Sequence, residues 1–141
     1  MNKIKHNLQI FLCHAHSDRE TVRALYCRLA ENNIHAWLDS EELQPGQNWK
    51  YEIRKAILKS DVILVCLSHK FNEQEGYRHE ELKLALEKAR LLDDGEIFIV
   101  PVRLEKCTMP ETLSHLHRVD LFEINGFRKL VRALKKLEKL R

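Results

Sequence analysis

Two adjacent acids, Glu80 and Glu81, open the segment of this chain with the densest chemical content. They begin a stretch in which Leu82, Ala85, Leu86 and Ala89 recur at i, i+3, i+4 and i+7, the spacing of one apolar helical face. At roughly 100° per residue, Glu81 falls about 90° from the centre of that stripe, at its rim, and Glu80 falls nearly opposite it, in solvent. A carboxylate at the rim can be partly desolvated and aimed into a cleft, where it can do chemistry. Acids are also favoured in a first turn by the helix dipole, and spacing alone leaves both readings open.

Other reactive side chains form weaker groups. Cys13, His14 and His16 lie close in sequence, as do His115 and His117. Neither group has a third and fourth ligand at a familiar spacing, so no metal site is expected. A Cys13–His14 nucleophile and base pair is disfavoured, because neighbours along a strand point to opposite faces. These histidines read as surface or loop residues. Cys13, Cys27, Cys66 and Cys107 contain no C-x-x-C pair and read as reduced thiols of a cytosolic protein. Trp37 precedes a polar loop and is either a core side chain or a platform for an aromatic ring. Tyr77 and Leu84 share the helix side away from the apolar stripe, incidentally or as part of a self-association surface.

The elements that position these residues alternate in type. Leu8–Cys13 and Val62–Leu67 are short runs apolar on both faces, as in buried parallel strands. Ile34–Asp39, Ile97–Val102 and Arg118–Phe122 supply three more strands, with Pro101 expected at a strand end or bulge. Ser17 and Glu20 form a capping box for a helix carrying Val22, Leu25, Tyr26, Leu29 and Ala30, which stops near Asn32-Asn33. The polar loop Ser40–Asn48 contains Pro45-Gly46, suited to a type II turn, and the next helix directs Trp49, Ile53, Ala56 and Ile57 inward. A polar loop, Ser68–Gly76, leads to the Glu81 helix, which ends at the turn Asp93-Asp94-Gly95. A final helix begins at Asn125-Gly126 with Phe127, Leu130, Val131, Leu134 and Leu137 inward. The pattern predicts an α/β, flavodoxin-like three-layer fold with a five-stranded parallel sheet in the order 2-1-3-4-5. Its switch point lies between the first and third strands, so Cys13-His14 and Leu67-Ser68 share one rim.

Composition narrows the function classes. The 141 residues suit one domain, read as 1–141, with room for it to lead a longer protein. A charged content of 32% with 44% hydrophobic residues excludes disorder. No apolar run is long enough to span a membrane, and no signal peptide is recognisable. The net charge of +3 is too mild to argue for nucleic acid. Four glycines and the absence of G-x-G-x-x-G or a P-loop pattern speak against those modes of holding phosphate.

Five stretches then match one family in order. IFLCHAHSD resembles the opening strand and loop of TIR (Toll/interleukin-1 receptor) domains of the bacterial type. HAWLDSEELQPGQNW resembles their second strand and BB loop, SDVILVCLS the third strand, GYRHEELKLAL the helix start, and IFIVPVRLE the fourth strand. Tyr77 stands where the family prefers Trp, and Cys13-His14 where it prefers Ser-Tyr.

The resemblance implies an NAD+ nucleosidase whose catalytic glutamate is Glu81. It implies substrate contacts from Trp37, His14, Ala15, Ser68 and Tyr77, and a self-association loop with Leu43, Pro45 and Gly46. The products would be nicotinamide and ADP-ribose or a cyclic isomer, with NAD+ as substrate and no cofactor. The implied setting is cytoplasmic bacterial antiphage defence, switched on by TIR–TIR assembly and linked to a sensor domain or partner protein. One carboxylate suffices for this chemistry: the pyridinium leaves as a neutral ring, so the second carboxylate that glycosidases use as an acid is not needed. Two rival expectations stand beside it, a non-enzymatic TIR–TIR signalling module and a sensor that binds a nucleotide without cleaving it.

Overall fold

Two strands buried at every residue form the centre of the sheet: β1 (Ile10–Cys13) and β3 (Val62–Leu67). The computed structural model describes residues 7–73, 77–93 and 95–140, and of Tyr77 and Arg78 the backbone alone. With β2 (Ala36–Trp37), β4 (Ile99–Arg103) and β5 (Val119–Asp120) the strands form one parallel sheet, ordered β2-β1-β3-β4-β5. This is the predicted order. Phe11 pairs with Trp37 on one side and Ile63 on the other, and Cys13 pairs with Val65.

Alternation along the strands divides the core in two. Ile10, Leu12, Leu64, Cys66, Val100 and Val102 pack against helices α1 (Arg19–Glu31) and α6 (Gly126–Leu140), chiefly on Val22, Leu25, Leu29, Leu130, Leu134 and Leu137. Phe11, Cys13, Ile63, Val65 and Leu67 face the other way. Ile53 and Ile57 of α3 (Trp49–Lys59), Ala85 of α5 (Tyr77–Ala89) and Leu113 cover them. Two shorter helices, α2 (Asp39–Glu42) and α4 (His69–Glu73), lie in the loops after β2 and β3.

Several local expectations are corrected. Ser17 and Glu20 do not form a capping box: a 3-10 turn, His16–Asp18, comes first, and α1 starts at Arg19 with no side-chain cap. The Asp18 carboxylate is instead bonded to the Ser68 hydroxyl. That hydroxyl also accepts the Phe71 N–H at 3.0 Å, so the expected loop after β3 holds the short helix α4. The second strand is two residues long, because Asp39 already opens α2. Pro101 sits within β4, opposite Val65, not at its end. Phe98 accepts from Ile63 and Leu104 donates to Leu67, so the odd-numbered residues between them face β5, whose pairing begins only at Val102. No ladder bond is therefore asked of Pro101.

Two glycines have positions that resist other residues, one through its backbone angle and one through lack of space. Gly46 has φ of 91°, and Gln47 donates to the Gln44 carbonyl at 3.1 Å, as in a type II turn with Pro45 and Gly46 at its centre. Gly126 begins α6 against the carbonyl of Asp120, and a Cβ there would collide with it.

Candidate active site

The helix that carries the two acids is seated by its own sequence. Ala85 is fully buried, and Glu81 at i−4 is 3% exposed, while Leu82, Leu84, Leu86 and Ala89 are only half-buried. The centre of the buried face is thus Ala85, not the gap between Leu82 and Ala89. Glu81 lies about 40° from that centre, deeper than the rim position expected. The cause is α3, which packs along this side of α5. Leu84, expected to face away from the core, packs on it instead. Glu80 is exposed, as expected.

Lys88 extends the same line one turn further. Its Nζ donates to the carbonyls of Leu58 and Ser60, each at 2.6 Å, and of Ile57 at 3.3 Å. These belong to the last turn of α3, where carbonyls lack helical partners and a cation is favoured. The ammonium also lies 4.8 Å from the centre of the Phe98 ring. Glu81 and Lys88 therefore occupy both ends of the most buried line of α5. Sequence reading missed this, though a Glu and a Lys seven apart and flanking a buried alanine are a readable signal.

Cys13, at the carboxyl end of β1, is 2% exposed and faces α5. Its Sγ donates to Glu81 Oε2 at 3.5 Å. An opening of about 200 Å³, which Glu81 lines and Cys13 does not, lies between α3 and α5. Glu80, Glu81, Lys50 and Arg54 are its polar lining, and Ile53, Ile57 and Leu84 its apolar lining. Among the described residues no ion pair joins Lys50 or Arg54 to a carboxylate. Trp49, expected inward, is 48% exposed beside Lys50, whose ammonium lies 5.6 Å from the indole centre.

The other residues singled out from the sequence have these places. His14 is buried, with Nδ1 at 2.8 Å from the Ala15 carbonyl and Nε2 at 3.4 Å from Asp39 Oδ1. Instead of being a surface histidine, it joins the loop after β1 to the start of α2. Ala15 and Ser68 are also buried, and Ser68 is tied to Asp18. These three gather at the carboxyl rim of β1 and β3, near Cys13. Trp37 is half-buried and stacks on Phe11, with centroids 5.2 Å apart and planes at 12°. It lines a different cleft, of about 430 Å³, at the amino ends of β1 and β2, which shares no lining residue with the Glu81 opening. Leu43 is half-buried against the α3–α5 side of the core, and Pro45 and Gly46 are exposed. The Tyr77 side chain lies outside the described residues, as do Gly76 and Asp94. A third cleft, of about 550 Å³, lies on the other side of α5 among Leu82, Leu86 and Met109–Thr112, with Glu111 as its sole acid among the described residues.

Charge elsewhere at the rim is settled within the protein. Arg103 donates from Nε and Nη2 to the two oxygens of Asp120 at 2.7 and 2.8 Å, and from Nη1 to the Cys107 carbonyl at 2.8 Å. The Arg103 hydrogen bonds hold the Asp120 carboxyl below the usual range. Burial pushes the Cys66 thiol up to about 12 and raises that of Cys107, so neither has the character of a reactive thiolate. Among the described residues no three His, Cys, Asp or Glu side chains are grouped to hold a metal, and no helix is long and apolar enough to cross a membrane.

Known proteins resemble this chain in sequence or in fold. An NAD(+) hydrolase, TcpA, from Theionarchaea archaeon (strain DG-70-1) is 33% identical over 94 residues, which are 66% of this chain and 27% of that protein. The TIR domain of the Toll-related receptor TRR-2 from Hydra magnipapillata superposes with a TM-score of 0.73 at 22% identity, over 89% of this chain and 97% of that one. The TIR domains of the activated Roq1 resistosome superpose with a TM-score of 0.70 at 22% identity, over 92% of this chain and 98% of theirs. A family pattern described as TIR domain runs through residues 10–134, from β1 into α6. On that match, together with the strand order and the layering, the chain belongs to the TIR domain family.

Proposed function

We propose that this domain hydrolyses NAD+ at the nicotinamide–ribose bond, with Glu81 as the catalytic carboxylate. The observation that carries the reading is the place of Glu81: a 3%-exposed acid on the buried line of α5, lining an opening between two helices. The relative named as an NAD(+) hydrolase supports the choice of substrate. As the C1′–N bond breaks, its electron pair leaves with nicotinamide and cancels the ring's charge. The ribose becomes oxocarbenium-like, and the Glu81 carboxylate stabilises that developing positive charge. Water then adds to C1′ and releases its proton. Addition of a group within the same molecule would give the cyclic isomer. The apolar lining of Ile53, Ile57 and Leu84 keeps the local dielectric low and strengthens the interaction. Cys13 restricts the orientation of the carboxylate through its S–H, and His14, Ala15 and Ser68 fix the loop after β1 beside it. Assembly through Leu43, Pro45 and Gly46 switches the activity on, in bacterial defence.

Nicotinamide release from NAD+ at high protein concentration tests the reading. Glu81→Gln should lower it at least about 1,000-fold, equivalent to about 4 kcal/mol in the barrier, while Glu80→Gln keeps most of it. Equal losses from the two variants would remove Glu81 from its role.

A second reading, a TIR–TIR interaction module without catalysis, is favoured by the outer face of α3. Tyr51 and Leu58, seven residues apart, are 60% and 49% exposed there. A protein that self-associates through that face and releases no nicotinamide would support it.

A further inference from the structure

We propose that Lys50 and Arg54 form the subsite for the pyrophosphate of the dinucleotide, an assignment that rests on the reading of Glu81 given above. The two residues are four apart on α3, so they stand one above the other on one helical face, about 6 Å apart along the axis. Both are exposed, and both line the opening that Glu81 lines from the opposite helix.

Size requires such a subsite. The opening measures about 200 Å³, below the roughly 300–1,000 Å³ of pockets that enclose a whole small-molecule ligand. A dinucleotide therefore enters with one end only. If the nicotinamide riboside end reaches Glu81, the phosphates lie at the mouth. The pyridinium and ribose then meet Glu81, and the dianionic pyrophosphate meets Lys50 and Arg54, which form no ion pair with a described carboxylate although Glu80 also lines the opening. An arginine can grip phosphate oxygens through two parallel N–H bonds, and a lysine adds a compact charge. Ile53, between these cations along the helix, and Ile57, one turn beyond Arg54, are buried, so the cations stay at the mouth while the floor stays apolar.

The assignment separates binding from chemistry. The two cations touch a part of the substrate whose charge does not change in the reaction, so they bind ground state and transition state alike. Removing them should raise KM and leave kcat nearly constant.

The test uses the full chain with Lys50→Gln and Arg54→Gln combined. Lys55→Gln with Lys59→Gln serves as the control, since it removes the same charge from the same helix. ADP-ribose binding is measured directly by calorimetry, and NAD+ turnover by nicotinamide release. The expected result is an ADP-ribose Kd and an NAD+ KM that both rise about tenfold, with kcat within twofold; the control pair leaves all three unchanged. Inhibition by nicotinamide, which has no phosphate, should not change. Unaltered ADP-ribose affinity in the double variant, or no ADP-ribose binding by the parent, would overturn the subsite even if NAD+ is cleaved. ADP-ribose binding that depends on Lys50 and Arg54 in a protein that never releases nicotinamide would keep the subsite and overturn the hydrolase reading. A circular-dichroism melt of each variant identifies losses that come from unfolding.

Discussion

The two faces of the sheet are built from the same kinds of strand residue and yet differ in what they hold. The core of the α1–α6 face runs from Leu8 to Leu137 in Leu, Ile, Val and Ala side chains with Cys66, and the buried polar His14 and Ser68 lie only past the ends of its strands. The α3–α5 face has a comparable apolar set, but Glu81 and Lys88 enter it on the line of α5 that should be most apolar. Packing explains the first face entirely. On the second, one polar residue fastens a neighbouring helix and the other lines an opening. A buried polar side chain costs free energy unless it is satisfied, so its presence marks where folding alone did not choose the residue.

That contrast can be tested from both sides. The largest stability effect is expected on the aliphatic face. Leu134 is 1% exposed, and Leu134→Ala should cost about 3 kcal/mol by removing buried methyl groups and leaving a cavity. Chemical denaturation would measure this, and the KM for NAD+ of the protein that remains folded should not move. A raised KM would mean that the two faces are not separable. Next comes Lys88→Met, which keeps the stem and removes the three bonds to α3; a loss of about 2 kcal/mol is expected. Hydrogen exchange should quicken at the end of α3, and NAD+ turnover should fall with it, because the opening depends on how α3 sits. The smallest effect belongs to Gly46→Ala. Open space surrounds the position, so only the φ of 91° resists the change, at about 1 kcal/mol. Stability should change little while self-association and activity fall together; unchanged association would free the loop from that role.

The order of the sheet was legible because β1 and β3 are apolar at every position, a pattern that a sheet covered on both sides imposes. The ends of elements were not. Ser17 looked like a cap, but Asp18 and Ser68, fifty residues apart, form a bond that shifts the helix start, and no local pattern encodes such a contact. Glu81 was found from its angle on the helix, but its depth was misjudged. The stripe of leucines points to one side of α5, whereas α3 covers the other side as well. Lys50 and Arg54 were passed over, since a lysine and an arginine on an amphipathic helix read as solvated until the facing helix is known. Trp49 was placed inward by its hydrophobicity, although a first-turn position leaves it half in solvent.

The three bonds from Lys88 have a mechanical consequence. They hold α3 at its carboxyl end, beside Ser60, while its amino end follows an exposed loop that turns at Gly46. A rod held at one end is a lever. At 1.5 Å per residue, the distance from the fulcrum to Lys50 is about 15 Å. A tilt of about 5° would carry Lys50 more than about 1 Å and hardly move Ile57. Any displacement of the loop Ser40–Asn48 is thus passed almost undiminished to the mouth of the opening and falls off toward its floor.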